Sequence, residues 1–258
     1  MIINVNQISW EREQSILKDV SWQVKENEHW CMVGLNGSGK TTLLNMINGY
    51  LWPTRGSIQV LGHTFGEVDL RDLRKQIGWV SSSLQQKLYG NETALDIVLS
   101  GKFASIGLYD RTDAKDREEV QELLEFLGCG KLSYRTYNTM SQGERQKILI
   151  ARALIASPKL LILDEPCSGL DMFAREHLLR TIETIAHKPD APTMIFVTHH
   201  IEEILPVFSQ TLLMREGSVF HAGTTKETIT SSVLSEFFGV PMVVHFQNNR
   251  YWANMEFS

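Results

Sequence analysis

Hydrophobic and polar positions divide this chain into short apolar runs and amphipathic stretches. Residues 2–24 predict two strands separated by a polar turn. Apolar runs that predict further strands lie at 29–33, 57–61, 77–80, 160–163 and 194–197. After the run at 29–33, Leu43, Leu44 and Ile47 share one helical face and Gly49 provides a stop. Strands that alternate with helices predict an α/β fold whose mostly parallel sheet is covered by helices.

Between residues 91 and 157 the strand pattern gives way to helical spacing. Val120, Leu123, Leu124 and Leu127 repeat at helical intervals, and a second amphipathic stretch follows at 148–155. The tail carries two apolar segments around a polar run, which predicts a small hairpin. We therefore predict three parts: a core at 1–90 and 158–225, a helical insertion at 91–157, and a C-terminal extension at 226–258.

Composition narrows the functional classes. The chain has 30 acidic and 25 basic residues among 258, so a broad basic surface for nucleic acid is not expected. Cys31, Cys129 and Cys167 lack CxxC spacing and predict neither a disulfide framework nor a zinc site, which fits a reducing cytosol. The sequence shows neither a signal peptide nor a run of the roughly 18 to 20 apolar residues that spans a bilayer. A role at a membrane would therefore require a partner.

The string GLNGSGKTT fits the phosphate-loop pattern G-x-x-x-x-G-K-[ST] and lies between a predicted strand and a predicted helix. Such a loop turns successive backbone N–H groups and a helix N-terminus toward phosphates, so a nucleoside triphosphate is the expected ligand. Lys40 would reach the β and γ phosphates and the Thr41 hydroxyl would bind Mg²⁺. The candidate nucleotide-binding residues here are Gly34, Leu35, Asn36, Gly37, Ser38, Gly39, Lys40, Thr41 and Thr42.

Two carboxylates, Asp164 and Glu165, follow the apolar run at 160–163. The carboxyl end of a buried parallel strand faces the ligand crevice. Acidic residues also end strands simply because loops are wet, but their combination with a phosphate loop favours a catalytic role. Asp164 would hold Mg²⁺ through water, and Glu165 would act as the general base on the attacking water.

The string MSQGE at 140–144 stands before an apolar helix and resembles the ABC signature LSGGQ, with Met for Leu, Gln for the first Gly and Glu for the final Gln. Ser141 and Gly143 match that signature. Ser141 and Glu144 also form a capping box, the ordinary start of a helix. The two interpretations are compatible, because a capped helix with free N–H groups and a small Gly143 can receive a phosphate from outside the subunit.

Further positions resemble the ATP-binding cassette (ABC) ATPases over nearly the whole chain. CSGLD at 167–171 matches the D-loop, which adds Asp171 to the candidate nucleotide contacts. His199 follows Thr198 and matches the switch histidine that contacts the γ phosphate. Trp10 stands where the family places an aromatic residue that stacks on adenine, although ordinary packing of a tryptophan would look the same. By resemblance, Lys40, Glu165 and His199 form the catalytic set.

One position departs from the family pattern. Ser82 stands where the family has a Mg²⁺-sensing glutamine, and Gln85 and Gln86 come slightly later. We therefore treat Gln85 as a candidate metal ligand, with Gln86 and Ser82 as alternatives. The strings VSSSL, MSQGE, DEPCSGLD and THHIEE are most similar to an orphan bacterial group labelled YlmA-type, and less closely to the molybdate-associated and photorepair-labelled ABC proteins.

The resemblance implies a P-loop NTPase with a mostly parallel RecA-like sheet, an N-terminal antiparallel β subdomain and an inserted helical subdomain. It also implies Mg-ATP as ligand, a second ABC subunit as partner, and a separate transmembrane permease that holds the protein at the cytoplasmic face of the membrane. The alternative is a soluble ABC regulator or nucleic-acid-associated ATPase without a permease. Known members of that kind often have two cassettes or a long coiled coil, and this sequence has neither.

Overall fold

The computed structural model describes residues 1–12, 15–109 and 111–256, so the last two residues of the predicted 226–258 segment lie outside the described residues. The chain divides into two compact units. The first unit consists of Met1–Leu70 and Thr193–Ser258, and the second consists of Arg71–Pro192. The strands are β1 (Ile3–Glu11), β2 (Ser15–Val24), β3 (Trp30–Val33), β4 (Arg55–Val60), β5 (His63–Thr64), β6 (Ile77–Val80), β7 (Leu160–Asp164), β8 (Thr193–Thr198), β9 (Gln210–Arg215), β10 (Ser218–Thr224), β11 (Met242–Gln247) and β12 (Arg250–Met255).

The helices alternate with these strands. They are α1 (Lys40–Ile47), α2 (Leu70–Lys75), α3 (Ser82–Gln85), α4 (Ala94–Lys102), α5 (Ala114–Phe126), α6 (Gln142–Leu154), α7 (Met172–Ala186), α8 (Thr225–Thr228) and α9 (Ser231–Phe238). In the part of the chain that the structure describes, no helix combines the length and the apolar character needed to cross a bilayer.

The first unit contains an antiparallel sheet in the order β2-β1-β4-β5. From Val20 to Val24, strand β2 alternates buried and exposed positions, with Val20, Trp22 and Val24 buried; Leu17 is also buried, but a register shift separates it from Val20. That period of two is what a half-buried antiparallel strand requires, because successive side chains point to opposite faces. The predicted pair of N-terminal strands is confirmed as β1 and β2.

The same unit contains β3 in parallel pairing with both β8 and β9, and β10 in antiparallel pairing with β9. All residues of β3 and β8 are buried, as expected for parallel strands that are covered on both faces. In this register Val33 lies opposite Thr198 and opposite Leu213. The loops that follow Val33 and Thr198 therefore begin at the same edge of the sheet.

A hairpin of β11 and β12 forms the end of the described chain, as the tail pattern predicts. Asn248 and Asn249 connect its strands, and both hold positive φ angles of 52° and 59°. Two consecutive left-handed residues form the type I′ turn that suits a two-residue hairpin connection. The Ser235 and Ser231 hydroxyls of α9 accept hydrogen bonds from the N–H groups of Met242 and Val244, so α9 binds the free edge of β11.

The second unit pairs β6 with β7 in parallel, with Val80 opposite Leu163. Residues 91–157 contain α4, α5 and α6, as their helical spacing predicts. Helices α4 and α6 approach closely at Gly101, where an added Cβ would lie 2.1 Å from the carbonyl oxygen of Arg152. Lys102 at the end of α4 forms ion pairs with Asp116 (2.5 Å) and Glu119 (2.8 Å) of α5. These contacts join α4 to the C-terminal end of α6 and to α5.

Candidate functional site

The phosphate loop joins β3 to α1 and is built from glycines at positions that require them. Gly37 and Gly39 have φ angles of 81° and 97°, in the left-handed region that favours glycine. An added Cβ at Gly34 would lie 2.5 Å from Ser38 Oγ and 2.6 Å from the carbonyl oxygen of Met214. At Gly37 it would meet nothing within 4 Å, so the loop is open on that side. The tight turn leaves Leu35, Asn36 and Gly37 exposed.

Lys40 begins α1 and is only 5% exposed. Its Nζ donates hydrogen bonds to the carbonyl oxygens of Gly34 at 2.6 Å and Leu35 at 3.1 Å. The ammonium group is therefore held inside the curve of the loop. Because a phosphate oxygen is a stronger partner for an ammonium than a neutral carbonyl, a triphosphate can take over these bonds.

Three hydroxyl groups of the loop have different surroundings. Ser38 Oγ is buried and has no hydrogen-bond partner among the described residues. A buried hydroxyl in this position is suited to a hydrogen bond with a bound phosphate or an ordered water. The Thr41 side chain is exposed in the first turn of α1, and Thr42 is half-buried. The Thr41 hydroxyl thus offers an accessible hard oxygen ligand of the kind that Mg²⁺ prefers.

Trp10 lies near the phosphate loop through its strand partner. It is half-buried on β1 and pairs with Leu17 of β2. An added Cβ at Gly39 would lie 2.7 Å from Leu17 Cδ2, so β2 packs directly on the start of α1. This arrangement places an accessible indole on the strand next to the loop, where a base can stack on it.

His199 follows β8 directly and is exposed. Since Val33 and Thr198 are opposite in the parallel register, His199 and Gly34 leave the sheet at the same level. The His199 ring lies 4.2 Å from the ring of His200, measured between centroids. The fold therefore brings His199, the predicted switch histidine, and the phosphate loop of the first unit to one sheet edge.

The acidic pair lies in the second unit at the end of β7. Asp164 and Glu165 are both half-buried, and β6 ends beside them because Val80 lies opposite Leu163. The carboxylate of Asp164 is a suitable oxygen ligand for Mg²⁺. Glu165 has a φ angle of 50°, a left-handed conformation that costs a non-glycine residue about 1 to 2 kcal/mol.

Gln85 ends the single turn of α3, which begins after Ser81. Ser81 Oγ accepts a hydrogen bond from Leu84 N–H at 3.2 Å, and Ser82 is exposed in the first turn. The side chain of Gln85 lies beside the phenol of Tyr137, whose pKa burial raises to about 12. The assignment of Gln85, or alternatively Ser82 or Gln86, as a metal ligand stays a prediction.

The MSQGE string forms the N-terminus of α6. Ser141 Oγ accepts a hydrogen bond from Glu144 N–H at 3.3 Å, and Glu144 Oε2 accepts one from Ser141 N–H at 2.7 Å. The predicted capping box is therefore present. The hydrogen bond from Ser141 N–H, with the nearby Arg135, lowers the pKa of Glu144 below its ordinary value. Arg135 Nη1 lies 3.2 Å from Glu144 Oε1.

The start of α6 is accessible. Ser141 is exposed, and Ser141, Gly143 and Glu144 line an open cavity of about 910 Å³. At Gly143 an added Cβ would lie 3.3 Å from Ala174 Cβ, so glycine permits close approach of α7. Asp171 is the N-cap of α7, and its Oδ1 accepts a hydrogen bond from Ala174 N–H at 2.9 Å. Ala174 in the first turn of α7 therefore lies beside Gly143 of the MSQGE string and is hydrogen-bonded to Asp171 of the CSGLD string.

A protein-family model described as "ABC transporter" matches residues 17–168, which include the phosphate loop, the MSQGE helix start and the acidic pair. The chain belongs to the ABC transporter family. This ABC protein is therefore an ATPase, and its fold is that of an ATP-binding cassette with a P-loop NTPase core.

Individual relatives agree with this placement. The chain is 52% identical over 252 residues to the uncharacterized ABC transporter ATP-binding protein YlmA of Bacillus subtilis (strain 168), a match that covers 97% of this chain and 96% of the relative. It is 32% identical to the energy-coupling factor transporter ATP-binding protein EcfA2 of Caldanaerobacter subterraneus subsp. tengcongensis, over 87% of this chain and 77% of the relative. The structure of cbiO1 from Clostridium perfringens, part of the ABC transporter complex cbiONQ, superposes with a TM-score of 0.76 at 25% identity and covers 91% of this chain and 93% of that chain.

Sequence patterns did not reveal the contacts that two residues of this ABC ATPase make with the segment around His199. Glu203 is only 3% exposed, and its Oε2 accepts a hydrogen bond from Thr198 Oγ1 at 2.5 Å. Arg250 donates from Nε to the carbonyl oxygen of Glu202 at 2.7 Å. Arg250 ends the polar run at 247–250, which indicates solvent exposure, and Glu203 is followed directly by the apolar residues Ile204 and Leu205. Their only sequence signal is a charge at the edge of an apolar segment.

Proposed function

We propose that this chain binds and hydrolyses Mg-ATP and powers a separate membrane permease through ATP-dependent closure of a dimer of two cassettes. Members of this family work as paired cassettes with transmembrane permeases. In this proposal the protein lies at the cytoplasmic face of the membrane, held there by the permease. Residues 1–90 and 158–225 form the nucleotide-binding core, and residues 91–157 form the helical subdomain that passes motion to the permease.

The proposed chemistry assigns a role to each residue that matches the family pattern. The N–H groups of the phosphate loop and Lys40 bind the phosphates, and Trp10 stacks on adenine. Thr41 and Asp164 would hold Mg²⁺, which when bound neutralises charge on the phosphates. Glu165 orients the attacking water and accepts its proton, while His199 contacts the γ phosphate.

The proposed dimer depends on one observation about the start of α6. This helix start is capped, it is accessible from outside the subunit, and it contains the small residue Gly143. The capping box engages the N–H groups of Ser141 and Glu144. The N–H groups of Gln142 and Gly143 belong to the first turn, where a helix has no internal acceptors for them. Such a helix start binds anions, so it can receive the γ phosphate of an ATP held by a second subunit.

ATP then acts as a clamp. It contacts the phosphate loop of one subunit and Ser141 and Gly143 of the other only when the two are closed, so it stabilises the closed dimer by mass action. Hydrolysis removes the shared γ phosphate and releases the clamp. The permease would couple to this cycle of closing and opening.

Size analysis by light scattering tests the clamp. We expect Glu165→Gln protein, which retains ATP, to form dimers at saturating ATP and to remain monomeric with ADP. Addition of Ser141→Arg should abolish the dimer without loss of ATP binding, because Ser141 is exposed and the larger side chain blocks the helix start. Thr184→Arg, on an exposed position near the end of α7, serves as the control and should leave the dimer intact.

A Glu165→Gln protein that stays monomeric at saturating ATP, alone and when mixed with other ABC subunits from the same cell, would exclude the clamp.

Capture of the protein from membranes distinguishes the transport function from the soluble alternative. Recovery of a permease supports transport, whereas recovery of nucleic acid or ribosomes supports the soluble alternative.

A further inference from the structure

The segment Thr198–Glu203, here called the switch segment, closes on itself around the switch histidine. Thr198 Oγ1 donates to Glu203 Oε2 at 2.5 Å and accepts a hydrogen bond from His200 N–H at 3.0 Å. Glu203 N–H donates to the carbonyl oxygen of His200 at 3.2 Å. Thr198 and Glu203 are 1% and 3% exposed, so the hydrogen bond between their side chains is buried. The switch segment is therefore a compact turn closed by its own hydrogen bonds.

The C-terminal hairpin contacts this turn from outside. Arg250, the first residue of β12, donates from Nε to the carbonyl oxygen of Glu202 at 2.7 Å, and its Nη2 contacts the same oxygen. Strand β12 packs along residues Ile201–Glu203. Two donors of one rigid guanidinium on a single carbonyl fix the position of that carbonyl better than one flexible donor would.

The C-terminal hairpin is itself held in place by its turn and by hydrogen bonds to α9, so it can support the switch segment. Its turn at Asn248 and Asn249 is the two-residue type that holds paired strands in register, and Gln247 lies opposite Arg250. At the other end, Ser231 and Ser235 of α9 bind the N–H groups of Val244 and Met242. Arg250 therefore projects from a fixed strand, 48 residues along the chain from the carbonyl that it binds.

We infer that Arg250 is a positioning residue for ATP hydrolysis, through which the C-terminal hairpin holds the switch segment and its His199 in place. This inference rests on the proposed role of His199 at the γ phosphate. The chain connects His199 to the Glu202 carbonyl through two residues of a closed turn, so displacement of that carbonyl displaces the imidazole. A misplacement of about 1 Å is enough to slow an enzyme by up to about 10²-fold.

Steady-state ATPase measurements on the full chain test the inference. We expect Arg250→Ala to lower kcat about tenfold, which corresponds to about 1.4 kcal/mol in activation free energy. The KM for ATP should change by less than about twofold, because the phosphate loop and Trp10 still bind the nucleotide. Arg250→Lys should restore most of the lost kcat, since its ammonium can donate to the same carbonyl. Gln247→Ala, at the exposed cross-strand neighbour of Arg250, should behave as the wild type.

A double-mutant cycle separates positioning from a general loss of structure. If Arg250 acts through the switch histidine, Arg250→Ala should add no further loss in a His199→Ala background. Multiplied losses in that background, or an unchanged kcat in Arg250→Ala, would overturn the inference. An unchanged kcat in His199→Ala alone would instead remove the proposed role of His199. If thermal unfolding shows that Arg250→Ala is not folded, Arg250→Gln, which lacks the guanidinium group, decides by the same criteria.

Discussion

Glu165 has a carboxylate side chain, which can act as a general base, and an unfavourable backbone conformation. Its φ angle of 50° places a non-glycine residue in the left-handed region, where its Cβ approaches a carbonyl oxygen. Strain of this kind persists only where neighbouring structure enforces it. Here the enforcing elements are the buried strand β7 before Glu165 and the turn after it, in which Ser168 N–H donates to the Glu165 carbonyl oxygen at 3.1 Å.

We predict that Glu165→Gln retains ATP binding but slows turnover by about 10² to 10⁴-fold, the usual contribution of a positioned base. The substitution keeps the size of the side chain and the strained backbone, so it removes only the proton acceptor. Glu216→Gln is a matched control, because Glu216 is an exposed glutamate with a φ angle of 51° in the turn after β9. Single-turnover hydrolysis and equilibrium ATP binding give the two quantities, and normal turnover in Glu165→Gln would assign the base elsewhere.

At the scale of single elements, the capping box of α6 depends on charge. The pKa of Glu144 is lowered from its ordinary value of 4.5, chiefly by the hydrogen bond from Ser141 N–H. The folded state therefore favours the ionised carboxylate. Its contribution to stability is complete above pH 4.5 and is lost as the pH falls through the lowered pKa of the folded state.

We therefore predict that Glu144→Gln destabilises the protein at neutral pH, and that the difference from the wild type shrinks as the pH falls below 4.5. Urea unfolding at a series of pH values measures this difference. Glu118→Gln, at an exposed position of α5, controls for the loss of one negative charge. A difference that grows toward acid pH would contradict the assigned role of the carboxylate.

Local sequence patterns predicted the strands and helices better than they predicted the tertiary contacts between them. Strand β6 has the bounds that its apolar run predicts, and β7 extends the predicted run only by Asp164. Helix α9 was not predicted, because its eight residues are few for a periodic signal and include aromatic and β-branched types that also suit strands. Only the Thr230 cap and the Gly239 stop mark it in the sequence.

For the candidate site, the glycine spacing of the phosphate loop is local, and the sequence alone located it. The position of His199 beside Gly34 depends on the pairing of β3 with β8, which lie more than 160 residues apart. The contact between Arg250 and Glu202 similarly depends on where the tertiary fold places the hairpin. No periodicity or motif within a short window carries such information, so these relations required the structure.

For the whole molecule, nucleotide binding should raise the free energy of unfolding. A ligand at a concentration of about 100 times its Kd stabilises the folded state by about 2.7 kcal/mol. We predict that Mg-ATP raises the thermal midpoint of the wild type and has almost no effect on Lys40→Ala. The thermal midpoint of each protein must be compared with and without nucleotide. Lys40 also donates hydrogen bonds to the Gly34 and Leu35 carbonyl oxygens, so the substitution changes the stability of the nucleotide-free protein as well. Equal shifts in both proteins would show that Lys40 does not bind the phosphates.

The serines of α9 also bear on self-association. Strand β11 reads MVVHFQ and contains neither proline nor a formally charged lysine or acid, the usual means by which an outer strand discourages pairing with another molecule. Ser231 and Ser235 instead occupy two of its N–H groups. These two N–H groups are therefore unavailable for pairing with a strand of another molecule, although the tail is rich in apolar side chains.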